Sequence, residues 1–365
     1  MTCYLAFPFT RKVVQKNTKK IVLSLFVLSI ACWVMLVSVT AHAQSNASTT
    51  WAVSIVLPPK VVAGKTATLA VLGVDGRLAE GITVTVGDSL QLKTDKTGRA
   101  TFTTPSGSPV IIASGSGNSA AALVEAEELS GDRKTLAVSP VISLLDQFSI
   151  CGGHFVEQAD ANRVSINAER AFVLAASPEC LVVLANPRAL PGPAKITIEN
   201  SSGNWEASTT LASLHFDPPI PALVPEKKSK LALHVQGSDQ QLRVRVENRT
   251  PGVFRFLRGD AQDLVTSGGA ENSGEIGAVA VGAGDFSFRA RILPAPDPSA
   301  ARRYLLASES LAPKELKSRI NGYARDIERH PGNAEKIARD LQIIASRTIA
   351  GDFKTLLEAA RTALQ

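Results

Sequence analysis

The chain has 365 residues and a formal net charge of +6, enough length for two to four domains of ordinary size. Five basic residues (Arg11, Lys12, Lys16, Lys19, Lys20) stand in the first 43, which hold no Asp or Glu; the remainder carries 34 basic against 33 acidic residues. A body so near neutrality provides no field for a nucleic acid, and none is expected as a partner.

The basic residues precede an uncharged run, IVLSLFVLSIACWVMLVSV (21–39), and Ala41-His42-Ala43 follows it. A basic n-region, an apolar h-region and an A-x-A-like site describe a secretory signal. About 20 apolar residues also suffice to span a bilayer, so an uncleaved anchor is the competing reading. Cleavage after Ala43 is preferred because the small-residue triplet is so well placed. In both cases the basic flank stays inside and residues 44–365 are translocated. The protein is therefore expected in the periplasm, at the cell surface or secreted, with a membrane contact only through 21–39 if that run is retained. Cys151 and Cys180 are the only cysteines of the exported part. In an oxidising compartment such a pair is most simply one disulfide.

From Trp51 to Leu293, short apolar segments are cut by Gly, Pro, Asn and Asp, which predicts an all-β region. In a first block, 51–128, strands are expected at WAVSIVL, TATLAVLG, ITVTVG, ATFTT and PVIIAS. Ile82, Val84 and Val86 alternate with Thr83 and Thr85, so one face meets a core. Asp75-Gly76 and Thr97-Gly98 are turn signals. The Asp75-Gly76 turn, the Gly81–Val86 strand and the stretch from Thr94-Asp95 to Phe102 resemble bacterial Ig-like and carboxypeptidase-regulatory-like modules. That resemblance implies a spacer or binding domain without an active site.

A second block, 140–210, runs FSICGGHF, VSINAERAFVLAAS, CLVVLANP, GPAKITIENSSG. Ile150, Gly152, Phe155, Val164, Val183, Pro187, Gly192, Ile196, Ile198, Asn200 and Gly203 stand where the pattern of an IPT/TIG domain has its marked positions. The block resembles that family, which implies an Ig-like β-sandwich. Cys151 and His154 depart from the family pattern. The Cys151–Cys180 pair then staples two strands of one small domain, and His154 is read as a turn residue rather than a ligand. In the chain-entropy model, closing a loop of this size contributes on the order of 3 kcal/mol.

A third block, 211–293, has expected strands KLALHVQ, QLRVRVEN, GVFRFL, EIGAVAVG and DFSFRARI, and is read as a third Ig-like module without a specific family. PAPDP (294–298) is taken as a linker. Beyond it, Leu316, Ile320, Tyr323 and Ile327, then Ile337, Leu341 and Ile344, then Phe353, Leu356, Leu357, Ala360 and Leu364 recur with helical period. Three short amphipathic helices are expected within the segment 299–365, with Asn333 and Gly351-Asp352 as caps. Their apolar stripe should dock on the third module or self-associate, because short helices are marginal alone, with a partner or a membrane surface as the alternative. The fold class is therefore mainly β: tandem Ig-like β-sandwich modules followed by a small C-terminal α-helical segment.

No G-x-S-x-G, Walker, H-E-x-x-H or C-x-x-C motif is present. His154, His215, His234 and His330 stand apart in the sequence, so no metal and no cofactor is expected, and the protein is read as no enzyme. Gly115–Ser119 lacks the Lys and helix of a phosphate loop and is read as a strand-to-strand turn. The polar loop Thr266–Gly274 is read as a solvated connection, with ligand binding as the alternative. Trp205 is the candidate for a sugar platform, against a ring packed over a sheet edge. Arg243 and Arg245, with Arg249, Arg255 and Arg258, form a basic strand face, read as solvated, with an anion site as the alternative. The function expected is that of an exported, non-enzymatic spacer and interaction module with a protein or envelope-polymer partner. The alternative is an exported polysaccharide-binding or enzyme-accessory protein.

Overall fold

The computed structural model describes residues 54–73, 75–126, 135–217, 226–259, 261–282 and 288–365. Residues 1–43, read from the sequence as an export signal or anchor, lie outside them. Three β-sandwiches follow one another and a helical segment closes the chain.

The first sandwich pairs the strands Ser54–Val56, Thr66–Leu72 and Arg99–Thr103 with a five-stranded sheet. Its core holds Leu69, Val84, Phe102 and Ile111, all buried. The Ile82–Val86 alternation behaves as expected: Val84 and Val86 are inside, Thr83 outside. Gly115 and Asn118 are paired across the hairpin turn read from Gly115–Ser119. The strand Asn118–Glu125 was not expected, because its Ala-rich sequence carries little β signal.

In the second sandwich, Ile150, Phe155, Val164, Val183, Ile196 and Ile198 converge on one core. Cys151 ends the strand Gln147–Cys151, Cys180 opens Cys180–Leu184, and the two are register partners joined by a disulfide. The staple thus links neighbouring strands of one sheet. Gly152 follows at φ 93°, where an added Cβ would lie 2.8 Å from the Thr135 carbonyl oxygen. The first turn of CGGHF therefore requires glycine.

The strand Gly203–Asp217 runs through both the second and the third sandwich. Its first half pairs with Gly192–Asn200, and its last five residues pair with the strand Lys228–Gln236. Between them Val141–Ser143 pairs in parallel with 210–212. A boundary placed at 210/211 falls inside this strand. Gly237 (φ 93°) lets the next turn approach it, since a Cβ there would meet the Leu211 carbonyl oxygen at 2.5 Å. The first and second sandwiches are joined as well. Ala176 pairs with Thr68, so one sheet continues across both, and Val56, Ala70, Leu174, Ala175 and Val182 pack between them.

Helices α1 (Pro298–Leu311), α2 (Lys314–Arg329), α3 (Ala334–Arg347) and α4 (Asp352–Leu364) follow. The periodic apolar residues of the last three mostly face a common core, as expected. Helix α1 occupies sequence taken as linker and beyond. Its start is written in Asp297-Pro298: the Asp297 carboxylate accepts from the Ala300 N–H at 2.9 Å, and Pro fits the first turn. Asn333 does not cap α3; its amide instead donates to Asp326 at 2.9 Å. The apolar side of the bundle also meets the first sandwich, through Val110 and Leu123, rather than the third. Among the described residues no helix is long and apolar enough to cross a membrane.

Candidate functional site

The antiparallel register of Gly203–Asp217 and Lys228–Gln236 places His215 directly opposite His234. Their rings stack with centroids 5.4 Å apart and planes 23° from parallel. They line a cleft of about 450 Å³ together with the polar side chains of Gln236, Ser238, Asp239, Glu271, Asn272 and Ser273 and the smaller or apolar Val235 and Ala270. Histidines so far apart along the chain gave no local spacing signal; only strand register brings them together.

The polar loop Thr266–Gly274 builds the opposite wall, and it is tied down from within. Asn272 is 2% exposed. Its side-chain amide donates to the carbonyls of Ser238 (3.1 Å) and Gln240 (2.6 Å), and its side-chain oxygen accepts from the Gly268 N–H (2.8 Å). Gly269 N–H donates to the Asp239 carbonyl, and the buried Thr266 hydroxyl oxygen accepts from the Leu242 N–H. These bonds fix the backbone and leave Gln236, Asp239 and Glu271 exposed at the rim. Such a cleft offers donors, acceptors and two flat imidazoles to a polar ligand. Among the described residues no hydrogen bond joins either imidazole to a hydroxyl, and no group of three or more metal-ligating side chains occurs.

The residues singled out in the sequence lie elsewhere. Trp205 is half-buried, its ring edge-on to Phe155 at 5.9 Å, so its ring belongs to the packing of the second sandwich. His154 is exposed, and its carbonyl accepts from Asn200. The Arg243–Arg245 face is only partly solvated. Arg245 is 3% exposed, and its guanidinium grips Asp263 on both oxygens at 2.6 and 2.9 Å while also donating to the Gln365 side chain at the end of α4. Arg243 donates to the Pro294 carbonyl at 2.6 Å. Arg255 does not share this face: Phe254–Phe256 pairs with Ser273–Ala280 in the opposite sheet, and Arg258 stands in the turn after that strand. In their place the strand Phe288–Ile292 contributes Arg289 and Arg291.

Burial pushes the Asp263 carboxyl up. The Arg245 hydrogen bonds and the charges of Arg245 and Arg361 outweigh it and hold the group below the usual carboxylate range.

No family model matches the chain, and no curated protein does. Solved structures do. SGBP-B of the Bacteroides ovatus mixed-linkage glucan utilization locus, in complex with a mixed-linkage heptasaccharide, is similar at 11% identity over 67% of this chain and 60% of that one, with a TM-score of 0.18. The full extracellular region of plexin A4 matches at 11% identity over 68% of this chain and 24% of that one, TM-score 0.25. Invasin, a bacterial integrin-binding protein, matches at 13% identity over 65% and 56%, TM-score 0.18. The matched part spans less than two thirds of each of these chains. At such identities and scores nothing about ligand or partner follows. The strand pairing itself defines the class: tandem Ig-like β-sandwiches of short, mainly antiparallel strands, with a helical segment after them.

Proposed function

We propose that the protein is exported and acts without catalysis, as a modular β-sandwich protein that serves as spacer and interaction module at the cell envelope or surface. The observation that carries this reading is the mounting of the cleft. His215 stands on the strand shared by two sandwiches, and the facing loop is held by internal hydrogen bonds. A ligand would therefore meet a preformed surface on a stiff support, which lowers the ordering cost of binding. The Cys151–Cys180 disulfide accords with an oxidising compartment. The basic n-region, apolar run and Ala41-His42-Ala43 support export through a cleaved signal.

Crosslinking and pull-down from envelope fractions test the reading. The exported chain should retain a partner that is lost when His234→Ala and Glu271→Gln are combined. A purified exported chain that hydrolyses envelope polymers or esters, with activity lost on one substitution, would overturn it.

The amides, hydroxyls and carboxylates of the cleft also favour a second reading, binding of an envelope polysaccharide. It expects retention on a glycan array that fails with the same cleft substitutions and survives Trp205→Ala. No retention on any glycan removes it.

A further inference from the structure

The two histidines of the cleft are held as a pair by the sheet beneath them. Leu214 and Phe216 on one strand, and Leu233 and Val235 on the other, are buried in the core of the third sandwich. Alternation therefore turns His215 and His234 outward on the same face, the first exposed and the second half-buried. Their register runs unbroken from Ser213 to Asp217. On its other side the His234 strand is paired with Ser273–Ala280. Among the described residues no hydrogen bond or ion pair engages either imidazole, and the ring contact of each is with the other. A neutral imidazole keeps one nitrogen lone pair for a ligand.

The spacing of the rings has a chemical meaning. Two imidazoles on one tetrahedral zinc ion, with Zn–N of about 2.0–2.1 Å, have centroids about 5.2 Å apart. The centroids here are 5.4 Å apart. Aiming one nitrogen of each ring at a common point takes rotation about χ2, a broad torsion that leaves the centroids nearly in place. The strands need not move. The charge of the cleft agrees: Asp239 and Glu271 line it, and no Lys or Arg does, so its field favours a cation. Calcium and magnesium seek oxygen ligands, whereas paired imidazoles suit zinc and its neighbours. The histidines have no metal-ligand spacing along the chain; strand register supplies the proximity instead.

We propose that His215 and His234 form a two-imidazole site for a divalent zinc-like ion. No third ligating side chain joins them among the described residues, so the ion keeps positions for water or for an oxygen of what the cleft holds. Ion binding needs no partner, and the inference therefore goes beyond the function proposed above and stands or falls separately from it.

The test uses a chain of residues 44–365 free of any affinity tag, with zinc chloride as the probe and calcium chloride as the comparison. Calorimetry should give one zinc per chain, undisturbed by excess calcium. In the unaltered protein the side-chain nitrogen resonances of His215 and His234 should shift together on zinc addition. His215→Gln and His234→Gln should each weaken zinc binding by roughly tenfold or more. His154→Gln, at an exposed histidine of the second sandwich, should leave it unchanged. The proposal fails if zinc does not bind at submillimolar concentration, if calcium displaces it, or if both glutamine variants bind it as the unaltered chain does. A chain that retains a partner in the pull-down but binds no zinc removes this proposal alone. Zinc binding by a chain that retains no partner removes the other reading and leaves this one.

Discussion

Between the second and third sandwiches the chain never leaves the extended state, because one strand, Gly203–Asp217, serves both. Between the helical segment and the first sandwich only side chains and a few carbonyls meet. Val110 and Leu123 enter the helical core, and Arg303 bonds Glu125 at 2.8 Å and the Val124 carbonyl at 2.6 Å. Ser119 hydrogen-bonds Thr355 across the same contact. The first joint cannot open without breaking a ladder of backbone hydrogen bonds. The second can part while every sheet and helix stays intact. Order within sandwiches two and three should therefore be cooperative, and closure by the helices should be a separate, weaker event.

The largest effect should come from the shared strand. Leu211 is fully buried where the two sheets meet. Leu211→Ala should cost about 2–5 kcal/mol, and exchange protection should fall in both sandwiches together. Loss confined to one of them would mean the shared strand does not couple them. Next, replacing both half-cystines (Cys151→Ser with Cys180→Ser) should cost about 3 kcal/mol in the chain-entropy model. Thermal melting of that double variant against wild type measures it. Two free thiols in the unfolded, unreduced chain would refute the staple itself.

Smaller effects belong to the helical clasp. Arg303→Ala removes charge-assisted bonds at a partly exposed site and should cost about 1–2 kcal/mol. Faster exchange should appear in Val110–Gly115 and Asn118–Glu125, with no change in Gly203–Asp217. The smallest effect is one of pH. Asp263 has a folded pKa below its unfolded one, so its contribution is present above the unfolded value, near 3.9, and is lost as pH falls through the folded value. Contact of α4 with the third sandwich should then weaken below about pH 4 and stay constant from about 5 to 8. Exchange of residues 352–364 across that range reads it, and Asp263→Asn should flatten the profile.

Much of the β architecture was legible locally. Alternation of Val84 and Val86 with threonines, the Cys pair and the period of Ile320, Ile327, Leu341 and Leu357 each carry their own signal over a few residues. The candidate site did not. His215 and His234 meet through strand register, and the arginine face depends on which strands share a sheet. Arg255 looked equivalent to Arg245 along the sequence, yet strand pairing sends them to different sheets. Helix α1 was missed because a Pro-rich stretch reads as a break, although Pro at the first turn also starts helices. The docking of the bundle on the first sandwich joins Arg303 to Glu125, 178 positions apart, beyond the reach of any periodicity.

The helical segment folds back onto the first sandwich, where Val110 and Leu123 enter its core. Ser119→Cys with Thr355→Cys tests it most directly, because these side chains touch across that contact. In a chain of residues 44–365 the two new thiols should form a disulfide, found by peptide mapping without reduction, while Cys151–Cys180 stays intact. Free thiols at 119 and 355 under oxidising conditions, in a folded chain, would mean that the helices do not close on the first sandwich.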